Sequence, residues 1–275
     1  MTRRPYFSQD GVTIYHGACV DVLAEMEARS VNLVCTDPPY TDLVHNGARS
    51  NKGRRGYSNN DARGRPGGSE KTGLRVVQAM RRIDFASFTH DDMAAAMVAM
   101  GRVARRWVLA TVAFEHAGRL CDDPPEGLKF VRCGAWVKAG PTPQMTGDRP
   151  AQGWEAIAML HAADGERMRW NGGGRAAVYH CQAEMRGVYP TQKPEALIQR
   201  LLADFADPGD DVLDPFMGSG TTLLCAWKRG HKATGCDVRE EACEIAAKRI
   251  EAAMRQGRLP TDAARAKEVQ GTMAF

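Results

Sequence analysis

The sequence lacks the features that mark secreted proteins, membrane-spanning proteins and proteins stabilised by structural zinc sites. Its longest apolar run, which includes Ala94–Met100, is too short to cross a bilayer. No apolar segment follows Arg3 and Arg4, so the sequence predicts no secretory signal. The eight cysteines form no Cys-x-x-Cys pair and no Cys/His cluster at zinc spacing. We therefore expect reduced, buried thiols in a cytoplasmic protein that has no membrane partner.

The sequence also has little net charge, but that charge is unevenly distributed. The total is +4 over 275 residues, whereas residues 41–82 contain ten Lys or Arg and three Asp or Glu and so carry +7. Residues 41–73 are also rich in Gly, Ser and Asn and lack apolar periodicity. Two interpretations stay open: a solvated linker, or a mobile basic loop that closes over a polyanion.

Strand-like and helix-like patterns alternate along the rest of the chain. Strands are predicted at 31–36, 107–113, 129–137, 155–161, 211–216 and 232–237. Helices are predicted at 18–28, 91–105, 194–205 and 240–255, and a further helix after the turn 218–222. This alternation is typical of an α/β fold with a mostly parallel sheet, and the length fits one large domain.

One strand end carries a glycine-rich turn. Residues 211–222 read Asp-Val-Leu-Asp-Pro-Phe-Met-Gly-Ser-Gly-Thr-Thr, a strand followed by the start of a helix. Such a turn lets a ligand approach the backbone N–H groups, and no Walker-type Lys-Ser/Thr follows. Asp237 ends the next strand about twenty residues later, where a carboxylate suits ribose hydroxyls. The pair predicts a nucleoside site.

A second strand end carries Asp37-Pro38-Pro39-Tyr40. Two prolines restrict the backbone, so that the Asp37 carboxylate and the Pro38 carbonyl form a fixed pair of acceptors. Such a pair fits the two hydrogens of an exocyclic amino group, and Tyr40 offers a flat surface for stacking a base. The alternative is a turn whose aspartate has only a structural role.

Together the two motifs resemble those of the S-adenosylmethionine-dependent DNA amino-methyltransferases. Asp37–Tyr40 resembles the family's catalytic tetrad, and residues 215–221 resemble its cofactor loop. The tetrad comes first, then Thr191-Gln192-Lys193-Pro194, then the glycine loop, an order that is similar to the beta group of adenine-N6 enzymes.

The resemblance implies a class I methyltransferase fold with a circularly permuted motif order. This is a doubly wound, mostly parallel, seven-stranded sheet with helices on both faces. A single domain would cover 1–275, with the mobile basic loop at 41–73 and a target-recognition insert at about 139–187. Catalysis is assigned to Asp37, Pro38, Pro39 and Tyr40. Cofactor binding is assigned to Lys193, Asp214, Phe216, Gly218, Ser219, Gly220, Thr221, Thr222 and Asp237.

The implied reaction is methyl transfer from S-adenosylmethionine to the exocyclic N6 of a flipped adenine in duplex DNA, without a metal. Aspartate in the tetrad favours adenine, because cytosine-N4 enzymes often carry serine there. The alternatives are a cytosine-N4 enzyme and an inactive DNA-binding protein on the same fold. We further expect DNA contacts from Lys52, Arg54, Arg55 and Tyr57, a homodimer, and a bacterial or phage protein associated with the nucleoid.

Overall fold

The structure is a computed structural model that describes residues 3–39, 89–140, 150–184 and 192–257. Residues 1–38 and 90–275 form one compact unit. Residues 39–89 form a second unit, of which only Pro39 and Thr89 are described. The expected single domain, its basic loop at 41–73 and its insert at about 139–187 stay predictions, although two strands of the sheet described next lie within 139–187.

Within the described ranges, one sheet contains nine strands. They are β1 (Phe7–Gln9), β2 (Val12–His16), β3 (Val31–Thr36), β4 (Ala104–Val112), β5 (Leu128–Ala139), β6 (Trp154–Ala162), β7 (Val178–Gln182), β8 (Asp211–Asp214) and β9 (Lys232–Asp237). Their order is β1-β2-β9-β8-β3-β4-β6-β5-β7. The pairs β1–β2, β4–β6 and β5–β6 are antiparallel, and the other five pairs are parallel.

The helices of the described part cover both faces of this sheet. They are α1 (Cys19–Glu25), α2 (His90–Val103), α3 (Phe114–Asp122), α4 (Glu195–Phe205), α5 (Thr221–Lys228) and α6 (Glu240–Gln256). Leu33 and Cys35 share a core with α4, α5 and α6. Val34, which points to the opposite face, is also fully buried. None of these helices is both long enough and apolar enough to span a bilayer.

The predicted α/β class is confirmed, and the differences from the predicted elements are local. The strands at 31–36 and 232–237 have their predicted bounds. β8 ends at Asp214, two residues early, because Pro215 has no N–H with which to continue the ladder. The sequence patterns missed three of the nine strands, β1, β2 and β7, and the helix α3. The sheet also has two strands more than the seven that the resemblance implied.

The cysteines only partly match the sequence-based expectation. All eight lie in the described ranges and none is in a disulfide. Cys19, Cys35, Cys225, Cys236 and Cys243 are buried, whereas Cys121 and Cys133 are exposed because they lie on outward-facing positions of α3 and β5. Burial raises the pKa of the Cys225 thiol to about 12, which keeps it protonated.

The strand order places the two motif strands side by side. β3 pairs with β8 in parallel, with Leu33 opposite Val212 and Val34 opposite Leu213. The carboxyl ends of both strands therefore lie on the same side of the sheet. We call this row of strand ends, which is distinct from the edge strands, the catalytic edge. β6 runs antiparallel to β4, with Ala156 opposite Val112, so that its first residues lie at this edge.

Candidate active site

Asp37 follows directly after β3 and is held from two sides. The Thr111 hydroxyl, at the end of β4, donates to Asp37 Oδ1 at 2.6 Å. Lys193 Nζ lies 2.7 Å from Asp37 Oδ2. Each carboxylate oxygen therefore has its own donor, which fixes the orientation of the group. Pro38 is buried behind it, and Tyr40 lies outside the described residues.

Lys193, expected at the cofactor, lies between two carboxylates. Besides Asp37, it pairs with Glu155 Oε2 at 3.2 Å, and Lys138 pairs with Glu155 Oε1 at 2.7 Å. Both ammonium groups lie over the Trp136 ring. The distance from Nζ to the ring centroid is 5.2 Å for Lys138 and 5.7 Å for Lys193. Burial lowers the pKa of Lys193, but Asp37 and Glu155 raise it by more, so the net shift is upward and the amine stays charged.

Asp214 connects the two motif strands. The Thr36 hydroxyl donates to Asp214 Oδ1 at 2.7 Å, and the Phe216 N–H donates to the same oxygen at 3.1 Å. The Thr222 hydroxyl is a further partner. Burial raises the pKa of Asp214 to about 6, against the opposing effect of these hydrogen bonds. The end of β8 is thereby tied to the end of β3, and a cofactor contact of Asp214 stays a prediction.

The two glycines of the loop serve different purposes. Both have positive φ, +49° at Gly218 and +75° at Gly220. A Cβ on Gly218 would meet no atom within 4 Å, so the loop is open there. A Cβ on Gly220 would lie 2.8 Å from the Ala246 Cβ of α6. Gly218 therefore leaves room for a ligand, whereas Gly220 allows close helix packing.

Arg249 of α6 binds the hydroxyl groups of the loop. Its Nη1 lies 3.0 Å from Ser219 Oγ and 3.2 Å from Thr221 Oγ1. Both residues are buried. Ser219 and Thr221 thus accept hydrogen bonds from α6, which helps to fix the loop's conformation, and their expected contacts with the cofactor stay predictions.

Asp237 ends β9 beside the glycine loop, as predicted. The Gly218 N–H donates to Asp237 Oδ2 at 3.1 Å, and the Arg239 N–H donates to Oδ1 at 2.9 Å. The Arg239 guanidinium also binds this carboxylate, with Nε 3.2 Å from Oδ1. Burial raises the pKa of Asp237, which these N–H donors counteract. The next residue, Val238, is 64% exposed and gives this side of the loop an apolar surface.

Several residues of the site were missed by the sequence patterns. Thr111 and Glu155 are polar residues at the catalytic-edge ends of apolar strands, and this position is the one sequence signal that could have identified them.

Of the predicted residues, Asp37, Lys193, Asp214 and the glycine loop lie along the joined ends of β3 and β8. The proposed DNA contacts Lys52, Arg54, Arg55 and Tyr57 lie outside the described residues. The described ranges contain no group of three His, Cys, Asp or Glu that could hold a metal.

Solved structures share this fold. The M1.HpyAVI–SAM complex matches with a TM-score of 0.60 and 19% identity, over 86% of this chain and 99% of that one. The PvuII DNA methyltransferase, named as cytosine-N4-specific, matches with a TM-score of 0.64 and 13% identity, over 90% and 89%. TTHA0409 of Thermus thermophilus, a putative DNA modification methylase complexed with S-adenosyl-L-methionine, matches with a TM-score of 0.57 and 20% identity, over 87% and 93%. The fold is therefore that of the class I methyltransferases.

Sequence comparison finds similarity to DNA methyltransferases. A model of N6/N4 methyltransferases, described as DNA methylase, matches residues 164–248, which include Lys193 and the glycine loop. The type II methyltransferase M2.DpnII of Streptococcus pneumoniae is 25% identical over 268 residues, covering 90% of this chain and 93% of the relative. M2.LlaDCHI of Lactococcus lactis subsp. cremoris is 24% identical over 266 residues, covering 90% and 92%. The chain is therefore similar to the N6/N4 DNA methylases over residues 164–248 and to two type II methyltransferases over most of its length.

Proposed function

We propose that this protein transfers a methyl group to the N6 amino group of adenine in duplex DNA. Asp37 is the principal hydrogen-bond acceptor for that amino group. The observation that carries the proposal is the fixed Asp37 carboxylate, which Thr111 and Lys193 hold at the end of β3. The neighbouring strand β8 leads directly into the open glycine loop. Acceptor and cofactor loop thus share the catalytic edge.

The chemistry follows from the weakness of the nucleophile. An amino nitrogen conjugated to a purine ring has little lone-pair density to offer. Hydrogen bonds to Asp37 and to the Pro38 carbonyl localise this lone pair and strengthen as positive charge develops on the nitrogen. Each carboxylate oxygen has two lone pairs, so Asp37 can accept from the base while it keeps Thr111. Because a duplex hides the nitrogen, the base has to flip out, and Tyr40 is proposed to stack on it.

The residues around the glycine loop fit S-adenosylmethionine, which would supply the electrophilic methyl group. As the nitrogen–methyl bond forms, the methyl–sulfur bond would break, S-adenosylhomocysteine would leave and the nitrogen would release one proton. Gly218 leaves open space, and Asp237 at the end of β9 is proposed to accept the ribose hydroxyls. The Arg239 guanidinium, which binds Asp237, has to give way to them. Phe216 is proposed to lie against the adenosine, and Asp214 and Lys193 to lie near the methionine end. Ser219, Gly220, Thr221 and Thr222 complete the predicted set by shaping the loop.

The N4 amino group of cytosine is the second candidate for the atom that receives the methyl group. The fold does not discriminate between the bases, because a structure named as cytosine-N4-specific matches with a TM-score of 0.64. The support for adenine is Asp37 itself, since the tetrad with aspartate resembles adenine-N6 enzymes. The third candidate, an inactive DNA-binding protein, would have no need of an acceptor held on both oxygens.

A map of modified bases decides among these candidates. The protein and its Asp37→Asn variant are expressed in a host without DNA methylation, and the genome is sequenced for modified bases. We expect N6-methyladenine at one sequence motif with the wild type. With the purified variant, single-turnover methylation should be slower by about 10²–10³-fold or more. N4-methylcytosine would establish the second candidate, and an unmodified genome would support the third. An Asp37→Asn variant with wild-type turnover would refute Asp37 as acceptor.

The proposal extends to partners. Lys52, Arg54 and Arg55 are proposed to bind phosphates, and Tyr57 to contact a base, in a homodimer on double-stranded DNA. M2.DpnII and M2.LlaDCHI come from bacteria, which supports a bacterial cytoplasmic location with DNA as the partner.

A further inference from the structure

Four side chains of alternating charge lie in a row at the catalytic edge. In order they are Lys138, Glu155, Lys193 and Asp37, with N–O distances of 2.7, 3.2 and 2.7 Å between successive members. Their side chains are between 12% and 27% exposed, so these charges are poorly screened by solvent. The proposed function uses Asp37 and Lys193 and leaves Glu155 and Lys138 unexplained.

The row exists because one strand runs against its neighbours. β6 is antiparallel to both β4 and β5, and Glu155 near its start pairs with Trp136 of β5. Glu155 thus lies at the edge where β3 and β4 end. Lys193 comes two residues before α4 and reaches the same point. Charged residues from three separate parts of the chain therefore meet beside Asp37.

Lys193 has opposing consequences for Asp37. It orients the carboxylate, but an ammonium that pairs with Asp37 alone also competes with the amino hydrogens of the base for the same oxygen. Glu155 shares this ammonium and so weakens its hold on Asp37 Oδ2. Lys138 in turn neutralises the charge of Glu155, which would otherwise be a poorly solvated anion beside the site.

We propose that Glu155 is a positioning residue, which acts through Lys193 to keep the Asp37 carboxylate oriented and available to the amino group of the base. The inference rests on the proposed function, because it assigns a partner to the same acceptor. A purely structural alternative exists: the row simply stabilises the edge formed by β5 and β6. If Glu155 positions Asp37, its replacement lowers the methylation rate even when thermal stability is restored. If the row is only structural, rate and stability fall and recover together.

The test compares single-turnover methylation rates of three variants with that of the wild type. Glu155→Gln removes the shared carboxylate. Lys138→Gln/Glu155→Gln removes the outer pair and restores the net charge. Asp207→Asn is the matched control, because it removes a carboxylate 2.8 Å from the buried Arg106 near the start of β4, at the opposite edge of the sheet.

We expect the rate constant of Glu155→Gln to fall about 10- to 100-fold, as misplacement of a catalytic group does. The dissociation constants for S-adenosylmethionine and for DNA should change little. The double variant should regain thermal stability but keep the loss of rate, because Lys193 still lacks Glu155. Asp207→Asn should lose stability and keep its rate.

A purely structural row predicts that the double variant recovers both stability and rate, and this result would overturn the proposal. A folded Glu155→Gln variant with the wild-type rate would do the same. If the wild type methylates no DNA at all, the proposed function itself fails, which is a separate outcome from failure of the role of Glu155.

Discussion

The contact between Thr111 and Asp37 allows a quantitative test of how the acceptor is held. Thr111 is buried, and its hydroxyl lies 2.6 Å from Asp37 Oδ1 and 3.4 Å from the Thr36 carbonyl. Thr111→Val replaces this hydroxyl by a methyl group of nearly the same size. The change removes the donor without creating a cavity, so the effect reports on the hydrogen bond.

The expected loss follows from the charge of the acceptor. A hydrogen bond to a charged group contributes about 1.5–3 kcal/mol. Because about 1.4 kcal/mol corresponds to a factor of ten, complete loss in the transition state would slow the reaction about 10- to 150-fold. Lys193 still holds the other oxygen, so we expect a value in the lower half of that range.

The assay is single-turnover methylation of duplex DNA containing the mapped motif, at saturating S-adenosylmethionine. Thr111→Ser is the matched control, because it keeps the hydroxyl, and its rate should remain within a few-fold of the wild type. Calorimetry should show unchanged S-adenosylmethionine affinity for both variants. Equal rates for the valine and serine variants would show that Thr111 does not position Asp37.

The remaining predictions concern Asp214 and the two glycines. The pKa of Asp214 is raised from 3.8 to about 6, so its contribution to stability is complete below about pH 4 and is lost as the pH rises through about 6. Asp214→Asn still accepts from Thr36 but carries no charge, so it should raise the free energy of unfolding. In urea titrations the gain should be at most about 3 kcal/mol at pH 8 and smaller at pH 5. An equal gain at both pH values would contradict this prediction. Gly218→Ala should weaken S-adenosylmethionine binding with a small loss of stability, whereas Gly220→Ala should mainly lower the melting temperature because of Ala246. The reverse pattern would mean that the ligand approaches the loop at Gly220.

The parts of the site that were predictable are those coded by contiguous residues. Asp37 and Gly218 each follow an apolar strand of the expected sheet, and these two strands are neighbours in the structure. Thr111 and Glu155 were not predictable in the same way. Their positions depend on the register between β4 and β6 and on the antiparallel direction of β6, which no local pattern specifies.

Other features were missed because their determinants are distant or short. Arg249 reaches Ser219 from thirty residues along the chain, so no local pattern connects them. β1 has three residues, too few to show an alternation, and β7 has only one buried position in five. Such strands are stabilised by pairing with an existing sheet edge and leave little trace in the sequence.

The antiparallel course of β6 also brings both ends of the β5–β6 connection to the catalytic edge. β5 ends and β6 begins at the catalytic edge, so that Gly140 and Pro150, which flank residues 141–149, are close along the chain to Lys138 and Glu155. Connections tolerate changes in length better than strands do, so a longer or shorter 141–149 segment need not alter the register of β5 and β6. Exchange of residues 141–149 between relatives would therefore test the predicted target-recognition role of this connection while Lys138, Glu155 and Asp37 stay in place.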